Sequence, residues 1–170
     1  MGATNRLEFI TRTTLTATAS TISFQNIDTS FKKFFLLALV QNDTNAKVLY
    51  MRLNNDSGTN YNNQTLAANN TTITGQLVAG HSNIMIDNNN GSIQANDRAF
   101  FIVDFVKPST SLIARFVTMH GNSAVGNIPR YETNAGNWNN TTASINRVDI
   151  TASVGNMAAK TVIMLCGSRD

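Results

Sequence analysis

The sequence predicts an all-β chain folded as an antiparallel β-sandwich, jelly-roll-like in type, and three observations predict it. Apolar residues fall in short alternating or continuous runs rich in Val, Ile, Phe and Thr, without the 3.6-residue spacing of a helix. Clusters of Asn, Gly, Asp and Ser close these runs about every ten residues, as turns do in sandwiches. Finally, 24 Asn and 21 Thr against 14% charged residues shift the composition toward turn formers and β-branched side chains. With 42% of 170 residues hydrophobic, there is material for one core. Residues 6–170 are therefore expected to form a single domain behind a flexible arm at 1–5.

The expected elements can be justified in order. Arg6 to Thr11 sets Leu7 and Phe9 on one face with Glu8 opposite, and Thr21 to Gln25 does the same with Ile22 and Phe24. Lys33 to Gln41 is nearly continuous in apolar residues, which suits a central strand. Lys47 to Leu53 alternates before a turn-rich loop, Asn54 to Tyr61. Asn62 to Asn70 is polar and reads as loop, and Thr71 to Val78 reads as a short strand pair. Ser82 to Asp87 is a compact strand ended by Asn88 to Gly91, whose Asn-Gly pair supplies positive φ for a hairpin. Arg98 to Lys107 is a long strand stopped by Pro108, and Ser111 to His120 is its expected antiparallel partner. Gly121 to Asn140 reads as a long Asn/Gly loop, followed by strands at Ala143 to Ala152 and Lys160 to Cys166. This pattern also fits an immunoglobulin-like sandwich, which sequence alone does not separate from an eight-stranded jelly roll; the jelly roll is the first expectation, since strands at both termini fit an architecture whose first and last strands sit side by side.

Composition also narrows function. A single Cys gives neither an intrachain disulfide nor a Cys-based zinc site, and with two distant His residues, His81 and His120, no His-rich metal centre is expected. The longest apolar stretch, Phe34 to Val40, is too short for a secretory segment or a membrane span, so no membrane insertion is expected. A formal charge of +3 arises from scattered charges, with Lys32-Lys33 the one adjacent basic pair, so no nucleic-acid stripe is expected.

Three stretches carry a resemblance. Leu49-Tyr50-Met51-Arg52-Leu53-Asn54-Asn55-Asp56-Ser57-Gly58-Thr59-Asn60-Tyr61 resembles a strand-and-turn segment of tailed-bacteriophage virion proteins. Leu7 to Ile10, Thr21 to Phe24 and Phe35 to Val40 resemble the opening of those proteins. Trp138, Ala143 to Ile150 and Lys160 to Gly167 resemble their close. Asn55 stands where the family usually has Gly, and Asn tolerates the left-handed angles required. Cys166 stands where an aromatic is common. The resemblance implies a jelly-roll structural component of a phage particle, located in the virion as capsid decoration, fibre or tail-associated protein. It also implies association with the major capsid protein or another virion protein, and a homotrimer.

Candidate sites follow from residue chemistry. Asp56, among Asn54, Ser57, Gly58 and Asn60, invites Ca²⁺ binding but lacks the further acidic oxygens and closing bidentate Glu of such a loop. It is expected instead to cap a structural turn of Arg52, Asp56, Gly58 and Asn60, with Arg52 pairing to Asp56. Asp87 to Gly91 fails the metal test for the same reason. Glu8 and Glu132 are the two glutamates, one expected to point out from a strand and the other to sit in a loop, which does not make a glycosidase pair. No enzyme activity, cofactor or metal is therefore expected. Tyr61, Tyr131 and Trp138 lie in or beside Asn/Gly loops and form a candidate glycan-binding rim or subunit contact, with core or intersubunit packing favoured for Trp138. The functional expectation is a capsid decoration protein, of cement or head-fibre type. The alternative is a tail-tip or fibre receptor-binding, carbohydrate-binding module recognising a host surface glycan.

Overall fold

The computed structural model describes residues 6–41, 43, 48–69, 71–87, 98–107, 109, 114–124 and 128–169. These contain β1 (Glu8–Thr14), β2 (Thr21–Phe24), β3 (Lys33–Gln41), β4 (Leu49–Leu53), β5 (Tyr61–Asn69) and β6 (Thr72–His81). They continue with β7 (Ile84–Met85), β8 (Arg98–Val106), β9 (Ala114–Ala124), β10 (Ile128–Trp138), β11 (Val148–Ala152) and β12 (Val162–Ser168). An eight-stranded sheet runs in the order β1-β12-β3-β8-β9-β10-β5-β6, and a four-stranded sheet in the order β2-β11-β4-β7. Neighbouring strands in both are antiparallel, and the first strand lies beside the last. The fold is an all-β antiparallel sandwich of jelly-roll-like form.

Alternation builds the core. In β3, Phe34, Leu36, Ala38 and Val40 point inward, and in β8 Phe101, Val103 and Phe105 join them. Ile22 and Phe24 of β2, Met51 and Leu53 of β4, and Val148 and Ile150 of β11 meet them from the smaller sheet in one continuous cluster. The rings of Phe34 and Phe105 stack at 4.9 Å.

The sequence reading departs from the fold in the polar middle of the chain. Of the segment from Asn62 to Asn70 read as loop, Asn62 to Asn69 belongs to β5 and Asn70 lies outside the described residues, and most of Gly121 to Asn140 belongs to β9 and β10. Both segments gain ladder partners on two sides, β5 from β10 and β6, and β10 from β9 and β5. Low intrinsic strand preference of Asn and Gly is overridden by that pairing. Thr71 to Val78 is one long strand rather than a pair, and the Ala143 to Ala152 strand begins only at Val148. At β1 the faces are reversed: Leu7 and Phe9 are exposed and Ile10, by alternation, packs against the core, with a bulge between Phe9 and Thr11 following. The arm at 1–5, the turn at Asn88 to Gly91 and Pro108 lie outside the described residues.

Candidate functional site

The segment after β4 turns through Asn54 and Asn55, whose φ angles are 52° and 55°. With the Asp56 N–H donating to Leu53 O at 2.9 Å, this has the positive-φ pattern of a type I′ turn. Asp56 then accepts from the Gly58 N–H at 2.9 Å, from Asn60 Nδ2 at 3.1 and 2.9 Å, and from Trp138 Nε1 at 2.7 Å. A Cβ on Gly58 would lie 2.8 Å from Asn60 Nδ2 and 3.1 Å from Asp56 Oδ1, so glycine lets the turn close on the carboxylate. Burial acts to raise the Asp56 pKa. The hydrogen bonds from Trp138, Asn60 and Gly58, with the field of Arg52, outweigh it and hold the carboxyl below its ordinary range. Arg52 does not pair with Asp56 as expected from sequence; its Nε donates to Asn83 Oδ1 at 3.0 Å, and it acts on Asp56 through space.

Tyr61 and Trp138 stand opposite each other across β5 and β10, with rings stacked at 6.3 Å, and both are fully enclosed. Neither can present a ring to a sugar or to another subunit, so the surface rim expected from sequence reduces to Tyr131, which is half exposed on β10. The Tyr61 hydroxyl accepts from Leu53 N at 3.1 Å and lies 3.2 Å from the carbonyls of Leu53 and Asp56. Burial pushes its pKa far above the tyrosine range. Lys107 lies over the Trp138 ring at 5.5 Å and donates to Asn140 O at 2.7 Å; burial pushes its pKa down.

Two carboxylates lie elsewhere than expected. Glu132 is buried within β10, not in a loop, and accepts from Asn134 Nδ2 at 3.0 Å. Asn134 also donates to Ile86 O at 3.1 Å and accepts from the Thr65 hydroxyl. Asn63, equally buried, donates to Asn83 O and accepts from Met85 N. This internal polar row ties β10 and β5 to the segment around β7. The alternation of Asn63 with Thr65, and of Glu132 with Asn134, is a period-two signal, but polar at the inward positions. Glu8 does not point free into solvent; Arg169 binds it together with Asp28.

The outer face of the large sheet divides into two chemistries. Near Arg115, a depression of about 380 Å³ is edged by Asn62, Gln64, Leu77, Arg115 and Asn137. Its amides are already oriented: Asn62 Nδ2 donates to Asn137 Oδ1 at 2.9 Å, and Asn62 Oδ1 accepts from Gly80 N at 3.1 Å. Beyond Arg115, a depression of about 570 Å³ is mainly apolar, lined by Phe35, Ile102 and Val106, with Lys33 and Asp104 paired at 3.5 Å.

No protein-family model and no curated protein matches the chain. Among solved structures it is similar to the Caenorhabditis elegans galectin LEC-6, at 10% identity over 92% of this chain and 94% of that one, with a TM-score of 0.34. It is also similar to a protein of unknown function, SO2946 from Shewanella oneidensis MR-1, at 7% identity over 98% of this chain and 77% of that one, with a TM-score of 0.27. Likenesses this distant carry no argument about function.

Proposed function

We propose that the chain is a non-enzymatic structural protein of a bacteriophage particle, a capsid decoration protein seated on the major capsid protein. The observation that supports this most directly is the exposed apolar end of the β10-β5-β6 face. Tyr131, Ala68 and Ile73 form one cross-strand row and Leu66 stands in the next, with Leu66 51% and Ile73 72% exposed. Exposed apolar surface of this kind marks a contact with another macromolecule. The sequence resemblance to phage virion proteins supports the same reading. So does a surface rich in uncharged amides and hydroxyls, whose hydrogen bonds are little affected by salt. Mass spectrometry and image reconstruction of purified particles test it: many copies over the capsid lattice are expected, and absence from the particle overturns it.

The amide-lined depression favours a second reading, a tail-tip or fibre module that binds host glycans. Oriented amides, one guanidinium and the adjoining Leu77 supply the polar and apolar contacts a saccharide needs. Under this reading the particle carries few copies at the tail, and titration with host-surface oligosaccharides is saturable and is lost in Asn137→Ala and Arg115→Ala. Absence of binding to these oligosaccharides removes it.

A further inference from the structure

Among the described residues four strands end the two sheets, β1 and β6 at the edges of the larger and β2 and β7 at those of the smaller. An edge strand offers a row of backbone N–H and C=O groups to any other strand, and proteins blunt that offer with charge, bulges or shortness. Three of these edges are blunted. β1 carries Glu8 and Arg12, and its ladder is interrupted by the bulge between Phe9 and Thr11. β2 is four residues long. β7 is two residues long, and side chains of the larger sheet hold its flank, Asn63 Oδ1 accepting from Met85 N at 2.9 Å and Asn134 Nδ2 donating to Ile86 O at 3.1 Å.

β6 is built differently. It runs for ten residues without a charge or a proline, and the stretch around it, from Ser57 to Ile86, holds no Lys, Arg, Asp or Glu. Its ladder with β5 is regular from Thr72 to Val78. Thr72 to Leu77 are exposed on both faces of the strand, which therefore overhangs the smaller sheet. Ile73 and Leu77 are 72% and 70% exposed and share the outer face, with Gly75 midway between them.

We propose that β6 pairs edge to edge with β6 of a second copy, antiparallel, about a twofold axis normal to the sheet at Gly75. The other edges decide the occupant: an open edge pairs with an open edge, and β6 is the one this chain offers among the described residues. A head-to-tail contact of β6 with the partner's β1, which a ring or filament built through the sheet would need, sets an uncharged strand against Glu8, Arg12 and a bulge. Centred on Gly75, the antiparallel register sets each Ile73 against the partner's Leu77 on the outer face. On the other face, Thr74 stands against the partner's Gln76. Directly opposite Cβ atoms lie about 5 Å apart, which is contact for an aliphatic pair. A centre at Ile73 or Leu77 would join one such pair instead of two. Leu66, 51% exposed and opposite Gly75 on β5, flanks the axis from both copies. The contact is one strand wide, so the pair is a weak one that forms with concentration. It leaves the outer faces open and goes beyond the particle role.

Sedimentation equilibrium of the full chain over roughly 1 μM to 1 mM, the range of weak association, tests the pairing. The mass is expected to rise from 18.5 kDa toward twice that value. Amide hydrogen exchange should slow with concentration in β6 and not in β1. Ile73→Lys and Leu77→Glu change exposed side chains, so each variant should unfold cooperatively and weaken the pair by at least about tenfold. Position 73 of one copy faces position 77 of the other, so an equimolar mixture of the two variants should regain association through one opposite-charge pair and one aliphatic pair. Should one variant not fold, the other and the exchange pattern decide. A mass of one chain at every concentration, as an edge kept for an extended segment of another protein would give, overturns the proposal. So do a mass of three chains, a pair that neither variant weakens, and folded variants that stay apart when mixed. Absence from phage particles would remove the particle role and leave the pairing intact, whereas a monomer would remove the pairing alone.

Discussion

Trp138 and Asp56 are joined by an indole N–H to carboxylate hydrogen bond of 2.7 Å. It fastens the last residue of β10 to the turn that leads into β5, at the point where those strands begin their ladder at Trp138 and Tyr61. The contact makes one carboxylate the meeting point of a local turn and a long-range packing interaction.

Replacing Asp56 by Ala removes the acceptor for Trp138 Nε1, Asn60 Nδ2 and Gly58 N together, and leaves the indole N–H of a buried Trp without it. A loss of about 2–4 kcal/mol is expected, from lost charged hydrogen bonds and an unsatisfied donor. Urea unfolding followed by tryptophan fluorescence measures it. The loss should be the same with and without a chelator; native protein whose stability rises with added Ca²⁺ would show that the loop holds a metal instead.

The same carboxylate predicts a pH dependence. Its folded pKa lies below the unfolded value, so the unfolded chain binds the proton more readily. The stabilisation is therefore complete above the ordinary carboxylate pKa of about 3.9 and is lost as pH falls through the lower folded value. In Asp56→Asn that contribution is absent at every pH. The difference in stability between native protein and variant should shrink steadily below about pH 4. Taking the difference separates Asp56 from Asp28, whose carboxyl is also held low, chiefly by the Ser30 N–H. A constant difference across the acid range would remove the assignment.

The apolar strands were legible because alternation reports burial directly: Phe34 to Val40 and Ala99 to Phe105 read as strands and are strands. The polar ones were not. In β5 and β10 the inward positions hold Asn63, Thr65, Glu132 and Asn134, which are satisfied by one another and by the segment around β7. A local window sees amides and reads a loop, since apart from the Asn134–Glu132 bond the partners that satisfy them lie 20 to 69 residues away. The turn residues Asp56, Gly58 and Asn60 were legible for the opposite reason: their bonds to one another are local. Trp138, the remaining member, lies 82 residues from Asp56, and no spacing pointed to it.

Gly136 is set where β10 approaches β5 and Phe116 most closely. A Cβ there would meet Asn62 O at 1.9 Å and Phe116 Cζ at 2.5 Å, so Gly136→Ala must push the two strands apart. A cost of about 2–3 kcal/mol or more is expected, in the range of overpacked cores. Gly75, on the exposed β6, has only Thr65 O within reach at 3.8 Å, and Gly75→Ala is expected to be neutral or stabilising by about 0.5 kcal/mol. Denaturant midpoints of the two variants measured side by side check the contrast.

Asn54 and Asn55 share a left-handed backbone but not a role, and glycine substitution separates them. Asn54 Nδ2 donates to Ser144 O at 2.7 Å, while its Oδ1 accepts from the Asn146 and Arg147 N–H groups at 2.9 and 3.2 Å. Its side chain thus clips the end of β4 to the chain entering β11. The Asn55 side chain is exposed and enters no hydrogen bond among the described residues. Glycine accepts positive φ without strain, so Asn55→Gly should change stability by no more than about 0.5 kcal/mol. Asn54→Gly keeps the backbone conformation and loses three hydrogen bonds, at an expected cost of about 2 kcal/mol. Amide hydrogen exchange at Asn146 and Arg147 should accelerate in the second variant alone. Equal stability of the two variants would mean that the turn is held by its backbone and that the Asn54 clip contributes nothing.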